Sequence, residues 1–410
     1  MQTNLADWIK DTPQGAEADA ILRKCVHCGF CLATCPTYTL LGDELDSPRG
    51  RIYLVKQALE GAPVTARTQL HLDRCLTCRS CETTCPSGVQ FGRLVDIGRG
   101  IVAGRVARPR VEALRRWVLR KALTAPALFG AALALGRIAR PLLPAALRRK
   151  IPERAAPGER PGARHPRRML LLEGCVQPAM APAINAASAR VLDRLGISLV
   201  ATPGAGCCGA VSQHLDAHGE ALGYVKANID AWWPAIEAGA EALVITASGC
   251  GAMVADYGHL LRGDPAYAGK AARVSALAKD VGEVVGAERA ALAKLLAGRA
   301  APGTKVAFHS PCTLQHALKV RGVIEPVLEA AGFELTAVPD PHLCCGSAGT
   351  YSILQPELSG RLLARKVEAL ESGAPAVVAT ANIGCLAHLA TGSSRPVRHW
   401  IELLDERLAS

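Results

Sequence analysis

The stretch Cys25-Val-His-Cys-Gly-Phe-Cys-Leu-Ala-Thr-Cys-Pro36 places four cysteines at the spacing Cys-x2-Cys-x2-Cys-x3-Cys-Pro. A second copy of this spacing, Cys75-Leu-Thr-Cys-Arg-Ser-Cys-Glu-Thr-Thr-Cys-Pro86, begins 50 residues later. Cysteines in such runs ligate [4Fe–4S] clusters, and where two runs occur the fourth cysteine of each reaches the other cluster. Chance rarely produces this spacing once, so its repetition predicts two [4Fe–4S] clusters and a role in electron transfer.

The crossed arrangement assigns each of the eight cysteines to one cluster. The first cluster is predicted to bind through Cys25, Cys28, Cys31 and Cys85. The second cluster is predicted to bind through Cys75, Cys78, Cys81 and Cys35.

Zinc binding and disulfide formation are the alternatives for these cysteines. Zinc sites usually split their ligands into two separated Cys-x2-Cys pairs, unlike a run of four closed by proline. Disulfides require an oxidising compartment, whereas the polar residues 1–15 lack the apolar core of a secretory signal. Thiolate ligation of iron in a reducing, cytoplasmic setting is therefore the interpretation that the motifs favour.

The positive charge of the chain is concentrated in one segment. The whole chain carries a formal charge of +11, and residues 105–168 alone hold 17 Arg and Lys against three Glu. The same segment contains eight prolines, so we expect a linker and not a compact domain. No recognition-helix or zinc-finger pattern accompanies the charge, so nucleic-acid binding is not expected.

An apolar run of 15 residues, 122–136, lies inside this basic segment between Arg120-Lys121 and Arg137. It is interrupted by Pro126 and is shorter than the roughly 20 residues that a membrane-spanning helix needs. An interfacial helix with cationic flanks fits an anionic membrane surface or a membrane-bound partner. The alternative is a solvated linker whose helix packs on the protein's own domains.

The other eight cysteines reveal an internal repeat. Equivalent positions lie 137, 137 and 135 residues apart in three pairs: Cys175 and Cys312, Cys207-Cys-Gly209 and Cys344-Cys-Gly346, Cys250 and Cys385. Offsets this constant predict a duplicated domain. The predicted organisation is an electron-transfer domain at 1–104, the basic linker at 105–166, and the duplicated domains at 167–297 and 298–410.

Short apolar runs precede the cysteine turns at Met169–Leu172, Leu243–Thr246 and Val377–Thr380. Helical stretches lie between them, and alternating strands and helices predict a parallel sheet in each repeat. Ligands of such sheets collect beyond the carboxyl ends of the strands, where these cysteines stand. The predicted fold class is an α+β multidomain protein: a helical, ferredoxin-like two-cluster module followed by two duplicated α/β domains.

The cysteines of the repeats predict a further redox or metal site. A glycine after each adjacent pair permits a tight turn that aims both sulfurs at one site. Buried structural cysteines and a redox-active pair remain alternatives. The candidate residues are Cys175, Cys207, Cys208, Cys250, Cys312, Cys344, Cys345 and Cys385.

These repeats resemble the CCG domains of heterodisulfide reductases, anaerobic glycerol-3-phosphate dehydrogenase C subunits and lactate-utilisation proteins. Together with the N-terminal module they look most like the iron–sulfur subunits of bacterial glycolate oxidase (glycolate dehydrogenase). The resemblance covers nearly the whole chain. The strings that carry it are Cys25–Cys31, Gly42–Asp46, Pro48–Ile52, Leu72–Cys78, Asn228–Pro234, Thr246–Gly251 and His342–Thr350.

The resemblance implies a subunit of a complex that oxidises glycolate to glyoxylate. It further implies FAD in a partner subunit only, a quinone or other electron acceptor, and a peripheral position on the cytoplasmic side of the inner membrane. The chain itself has no G-x-G-x-x-G opening a βα unit, so we expect no flavin site and no catalytic residue on it. Iron–sulfur subunits of glycerol-3-phosphate, lactate or heterodisulfide complexes are the alternative within this superfamily. A flavin-independent disulfide reductase and a DNA-binding sensor are rivals of other classes.

The repeats depart from the fullest CCG pattern at their last anchor. Heterodisulfide reductases have Cys-x2-Cys there, whereas this chain has Cys250-Gly-Ala-Met253 and Cys385-Leu-Ala-His388. His388 is a candidate iron ligand and Met253 a poorer one. Further histidines, at 309, 316 and 342, surround the second set of cysteines. If only one repeat holds a redox centre, the second is therefore expected to be that one.

Overall fold

The computed structural model describes residues 1–144, 148–153, 156–299 and 303–409. The N-terminal module is built from short helices and contains both cysteine runs. Its α-helices are Asp7–Lys10, Pro13–Lys24, Pro36–Leu41, Pro48–Leu59, Ala66–Asp73, Ser80–Thr84 and Phe91–Arg105, with a 3-10 turn at Glu44–Asp46.

The helix Pro48–Leu59 forms the centre of this module. Its apolar residues Ile52, Val55 and Leu59 are buried, as their helical spacing predicts. The helix Phe91–Arg105 packs against it so closely that a Cβ at Gly98 would lie 2.4 Å from a methyl group of Val55. Only glycine permits this approach of the two helices.

The basic segment forms two helices, Arg110–Thr124 and Pro126–Ala139, followed by a 3-10 turn at Arg140–Leu142. Proline disfavours a helical conformation in the residue before it and suits the first turn of a helix, so the chain bends by 99° between the two helices. We call residues 110–142 the basic hairpin. The predicted apolar run is thus divided between two helices, which lie in the described part of the predicted linker.

The basic hairpin is anchored by its first helix, in which Arg116 and Thr124 are buried. No residue of its second helix is buried. Within the described ranges no single helix is long and apolar enough to span a membrane, although this bent pair as a whole meets the length and composition criteria.

The first repeat is a four-stranded parallel sheet with the strand order β2-β1-β3-β4. Its strands are β1 Arg167–Leu172, β2 Ile197–Ala201, β3 Leu243–Ile245 and β4 Ala278–Asp280. Its helices are Gln177–Met180, Pro182–Arg194, Ala210–His214, His218–Glu237, Ser248–Ala255, Tyr257–Leu260, Ala268–Leu277, Val281–Ala287 and Arg289–Leu296.

The second repeat has the same topology, with the strand order β6-β5-β7-β8 and all strands parallel. Its strands are β5 Lys305–His309, β6 Glu334–Leu335, β7 Val377–Thr380 and β8 Val397–His399. Its helices are a π-helical turn Thr313–Ala317 and the α-helices Ile324–Ala330, Tyr351–Leu354, Pro356–Glu371, Ile383–Leu389 and Trp400–Ala409. The predicted parallel sheet in each repeat is therefore confirmed.

The two repeats share one hydrophobic core. The C-terminal helix Trp400–Ala409 of the second repeat packs on the helix Pro182–Arg194 of the first, and the buried side chains on both sides belong to a single cluster. Arg190 and Arg194 pair with Asp405 across this interface at 2.7 and 3.1 Å. The duplicated domains therefore form one unit, which fixes their two cysteine sets relative to each other.

Candidate metal centre

The loop after helix Pro13–Lys24 and the end of helix Ser80–Thr84 enclose one cavity. Cys25, Cys28 and Cys31 line it from the first run, and Cys85 lines it from the second. Cys28 is exposed, whereas Cys25 is buried. The cavity thus brings together the four thiols that the crossed arrangement assigns to the first cluster.

A second cavity holds the four thiols assigned to the second cluster. Cys75, Cys78 and Cys81 line it from the second run, and Cys35 reaches it from the start of helix Pro36–Leu41. Cys81 also lines the first cavity, so the two sites are immediate neighbours. Four thiolates around one space form the donor set of a [4Fe–4S] cluster, and each cavity supplies that set.

The two loops repeat an unusual backbone conformation. His27 and Gly29 have φ values of 58° and 85°, and Thr77 and Arg79 at the equivalent positions have 53° and 58°. Non-glycine residues seldom adopt this left-handed conformation, and such strained residues cluster at functional sites. In the second loop the turn directs the backbone N–H of Thr77 towards the sulfur of Cys75 at 3.4 Å.

Burial raises the pKa of four of the cavity thiols, those of Cys25, Cys31, Cys78 and Cys81. Burial, with the nearby Cys25 as the next cause, raises the pKa of Cys31 to about 11. Burial and the neighbouring Cys312 raise the pKa of Cys78 well above its ordinary value. Bound iron would supply the positive charge that removes both penalties, because a coordinating thiol is deprotonated outright.

The cysteines of the first repeat form a chain of neighbouring thiols, in the order Cys175, Cys207, Cys208, Cys250, of which the first three are buried and Cys250 is half-buried. A hydrogen bond from Cys175 favours the Cys207 thiolate, but Cys208 and burial outweigh it and raise the pKa of Cys207 to about 12. Gly209 after the pair has a φ of 89°, as the predicted tight turn requires.

The cysteines of the second repeat form an equivalent chain, in the order Cys312, Cys344, Cys345, Cys385. The sulfurs of Cys312 and Cys344 are 3.7 Å apart. Gly346 has a φ of 90°, and a Cβ there would lie 2.7 Å from the carbonyl oxygen of Ser359. Each set of four cysteines lies beyond the carboxyl ends of its strands, as the sequence predicts.

The second repeat adjoins the N-terminal module at its second cavity. Cys78 packs against the buried cluster that contains Cys312 and Cys344. Thr83 of the module hydrogen-bonds His316 at 2.9 Å, and the hydroxyl of Tyr351 donates to the carbonyl oxygen of Arg74 at 3.1 Å. The two thiol sets are therefore held in a fixed contact.

Comparison with known proteins agrees with this arrangement. The family model described as "4Fe-4S dicluster domain" matches residues 21–89, and the one described as "Cysteine-rich domain" matches residues 169–255 and 306–390. The chain is 56% identical to the glycolate oxidase iron-sulfur subunit of Escherichia coli (strain K12), over 100% of this chain and 99% of that protein. The chain belongs to the family of glycolate oxidase iron–sulfur subunits.

More distant relatives of this family member share parts of the same architecture. A probable glycolate oxidase iron-sulfur subunit of Bacillus subtilis (strain 168) is 29% identical over 91% of this chain and 89% of its own length. Lactate utilization protein A of Geobacillus thermodenitrificans (strain NG80-2) is 29% identical over 55% of this chain and 92% of its own length. The predicted fold and the predicted family resemblance are both confirmed.

A buried ionic network lies beside Cys35 and was not predicted from the sequence. Asp46 is fully buried and pairs with Arg51, His71 and Arg74 at 3.2, 3.1 and 2.7 Å. The sulfur of Cys35 lies 4.0 Å from the Arg51 guanidinium. Asp46 and Arg51 lie in two of the strings that carry the family resemblance. No sequence pattern indicates that they form an ion pair beside the second cavity.

A buried lysine near the second set of cysteines was also missed. The side chain of Lys366 is 3% exposed, and its ammonium group donates to the carbonyl oxygen of Asp340 at 2.8 Å. Burial lowers the pKa of Lys366, while the neighbouring Cys344 and Cys345 oppose that shift. Lys366 therefore places a buried basic group beside the cysteines of the second repeat.

The histidines noted near the second repeat have separate roles. The Nε2 atom of His388 lies 3.1 Å from the hydroxyl of Ser359, so its polar contact is a serine and not a cysteine. His316 contacts Thr83 and the carbonyl oxygen of His342, and burial lowers its pKa to about 4. Met253 is buried in the core of the first repeat. Only His309 joins two cysteines in a close group among the described residues.

Proposed function

We propose that this chain is the electron-transferring iron–sulfur subunit of a complex that oxidises glycolate to glyoxylate. Two [4Fe–4S] clusters, bound by the crossed sets of cysteines, would accept and release single electrons. The observation that carries the proposal is the pair of adjoining cavities, each lined by its predicted set of four cysteines, in a chain 56% identical to a glycolate oxidase iron-sulfur subunit. A partner subunit would hold FAD and take the hydride. We also propose that the chain divides into domains at 1–104, 105–166, 167–297 and 298–410.

The positions of the thiol sets support an order for electron transfer. The first cavity opens to solvent at the exposed Cys28, where the exposed side chains of Val26 and Phe30 flank it. The second cavity adjoins both the first cavity and the cysteines of the second repeat. The first cluster would therefore exchange electrons with the flavoprotein, and the second cluster would pass them towards the second repeat and a quinone or other acceptor.

Apolar side chains surround the proposed electron-transfer path. Phe91 lines both cavities and is buried, and Leu76 and Tyr351 are buried where the second cavity meets the second repeat. Such packing keeps water away from the thiols of the second cavity, and hydrophobic surroundings tune the redox potential of a bound cluster.

The basic hairpin supports a peripheral membrane contact. Leu135, Ile138 and Leu142 are 68%, 76% and 89% exposed, which is unusual for apolar side chains so close together. Arg137 and Arg140 are held by Pro152 and Glu153, but the exposed Arg148, Arg149 and Lys150 just after the hairpin suit the anionic lipids of the cytoplasmic leaflet. The hairpin would thus attach the complex to the cytoplasmic side of the inner membrane.

Anaerobic purification of the full chain with its co-purifying subunits tests the function. Addition of glycolate to the purified complex is expected to reduce the clusters, as seen by electron paramagnetic resonance, only when the flavoprotein is present. Lactate and glycerol 3-phosphate serve as controls for the alternative complexes. Cluster reduction by either control substrate and not by glycolate would overturn the proposal.

A further inference from the structure

Three buried groups of the second repeat converge on one point. The Nε2 atom or Nδ1 atom of His309 and the sulfurs of Cys345 and Cys385 all lie within 4.8 Å of one another. They come from three separate elements: the last residue of β5, the turn at Cys345-Gly346, and the helix Ile383–Leu389. Such convergence of donors from different elements is typical of a metal site.

The orientation of His309 leaves one ring nitrogen free for a ligand. Its Nδ1 atom lies 2.9 Å from the hydroxyl of Thr380, the paired residue on the neighbouring strand β7. Its Nε2 atom is buried and has no hydrogen-bond partner within the described part of the chain. When Nδ1–H donates to Thr380, the lone pair of Nε2 is available to a metal, which is the usual arrangement of a ligating histidine.

The first repeat shows that the fold itself does not require this histidine. At the equivalent register, strands β1 and β3 pair Leu172 with Ile245, two apolar residues, where the second repeat pairs His309 with Thr380. Asn382 also donates to the sulfur of Cys385 at 3.3 Å, whereas the equivalent residue of the first repeat is Ala247. Among the described residues, only the second repeat therefore has both a histidine with an unbonded ring nitrogen and a cysteine whose sulfur accepts a hydrogen bond from an asparagine.

We propose that His309 Nε2, Cys345 Sγ and Cys385 Sγ bind a metal ion of borderline softness, iron or zinc, in the second repeat. Binding would displace the two thiol protons to solvent, leaving two thiolates and one neutral imidazole as ligands. The set compensates for the missing last cysteine of the repeat with a histidine from strand β5. This inference specifies the further redox or metal site that the sequence predicts in the repeats, and it is independent of the two N-terminal clusters.

Metal analysis of the full chain, purified without oxygen, tests the site. The key variant is H309L/T380I, which recreates the Leu172–Ile245 pair and so introduces a packing that this fold already contains. The wild type is expected to hold iron or zinc beyond the iron of the two N-terminal clusters, and the element found identifies the metal. The double variant is expected to lose that excess and to keep the paramagnetic signals of both N-terminal clusters.

The variants His388→Leu and His309→Cys test whether the excess metal depends on His309 in particular. His388→Leu, which changes a histidine bonded to Ser359, is expected to keep the excess metal. His309→Cys is expected to restore metal with sulfur-only scattering in X-ray absorption, whereas the wild type shows a nitrogen neighbour. An absence of excess metal in the wild type, or its retention in H309L/T380I, would overturn the site. Missing N-terminal cluster signals in the wild type would instead count against the proposed function.

Discussion

Asp46 shows how a single residue supports the second cluster site. Its carboxylate is fully buried and is surrounded by Arg51, Arg74 and His71. Arg51 is 1% exposed and also donates to the hydroxyl of Thr37 at 3.1 Å, beside Cys35. Loss of the carboxylate would leave a buried guanidinium without its counter-charge, which is among the most destabilising changes a protein interior can undergo.

We therefore predict that Asp46→Ala lowers the free energy of unfolding by about 3–5 kcal/mol. Asp43→Ala is the matched control, because the Asp43 carboxylate lies within 4.8 Å of Asp46 and His71 but its hydrogen bond, from the backbone N–H of Leu45 at 2.9 Å, is a turn contact and not an ion pair. That variant is expected to cost about 0.5–2 kcal/mol, the usual loss for a helix N-cap. Anaerobic chemical denaturation of both variants measures the difference, and equal losses would contradict the role given to Asp46.

The cysteine ligands of the candidate site were predictable from their spacing. The charged and histidine side chains around them were not predictable. The run of four cysteines requires only local chain geometry, so it is visible in sequence. The Asp46 network joins residues up to 28 positions apart, and Lys366 lies 26 residues from the carbonyl it contacts. His309 was noted as one of several nearby histidines, and only the register of β5 and β7 distinguishes it from the others.

The basic hairpin is the element whose sequence left two interpretations open. Its first helix is tied to the protein, because Arg116 pairs with Asp73 at 3.0 Å and the hydroxyl of Tyr224 donates to Thr124 at 2.9 Å. Its second helix exposes Leu128, Leu135 and Ile138, whereas Phe129 and Leu133 are half-buried. The first helix therefore fits the interpretation of packing on the protein's own domains, and the membrane contact of the second helix stays a prediction.

We predict that the triple variant Leu128→Ser, Leu135→Ser and Ile138→Ser weakens binding to anionic lipid vesicles by roughly tenfold or more, because it removes apolar area that would enter the interface. The three residues are exposed, so the fold should be retained. Leu70→Ser, which changes an exposed leucine of the N-terminal module, is the control and should bind as the wild type does. Co-sedimentation with vesicles measures the effect. Unchanged binding of the triple variant would show that the hairpin serves another purpose.

Strand positions and repeat topology were predictable because apolar runs precede the cysteines in both halves. The bend at Ala125 follows from Pro126 and is equally local. The shared core was not predictable, since the docking of helix Trp400–Ala409 on helix Pro182–Arg194 depends on contacts over more than 200 residues of sequence, such as that between Arg190 and Asp405. Local sequence patterns thus predicted the strands, the repeats and the bend, but not how the two repeats pack on each other.

At the scale of the whole molecule, His399 links the two repeats. Its Nε2–H donates to the carbonyl oxygen of Thr246 at 3.1 Å, and its Nδ1 accepts from the backbone N–H of Ile401 at 3.3 Å. Burial lowers the pKa of His399 from 6.5 to about 4. The folded protein therefore keeps this imidazole neutral while the unfolded chain protonates it, so its contribution to stability is present above pH 6.5 and is lost as the pH falls towards 4.

We predict that the wild type loses stability between pH 6.5 and 4 more steeply than His399→Gln does, because the variant removes this titration. His218→Gln, which changes a residue outside the interface between the repeats, should keep the wild-type slope. Thermal melting across this range measures the slopes. Parallel slopes for wild type and His399→Gln would contradict the argument.

The crossed ligation of two clusters is the central claim, and paramagnetic resonance of four single variants tests it most directly. Cys28→Ala and Cys85→Ala are expected to lose the same cluster signal, and Cys78→Ala and Cys35→Ala are expected to lose the other, because each pair lines one cavity. The surviving signal in each variant confirms that the protein is folded. If Cys85→Ala instead removed the signal that depends on Cys78, or if the wild type held no cluster after anaerobic reconstitution, the account would be wrong.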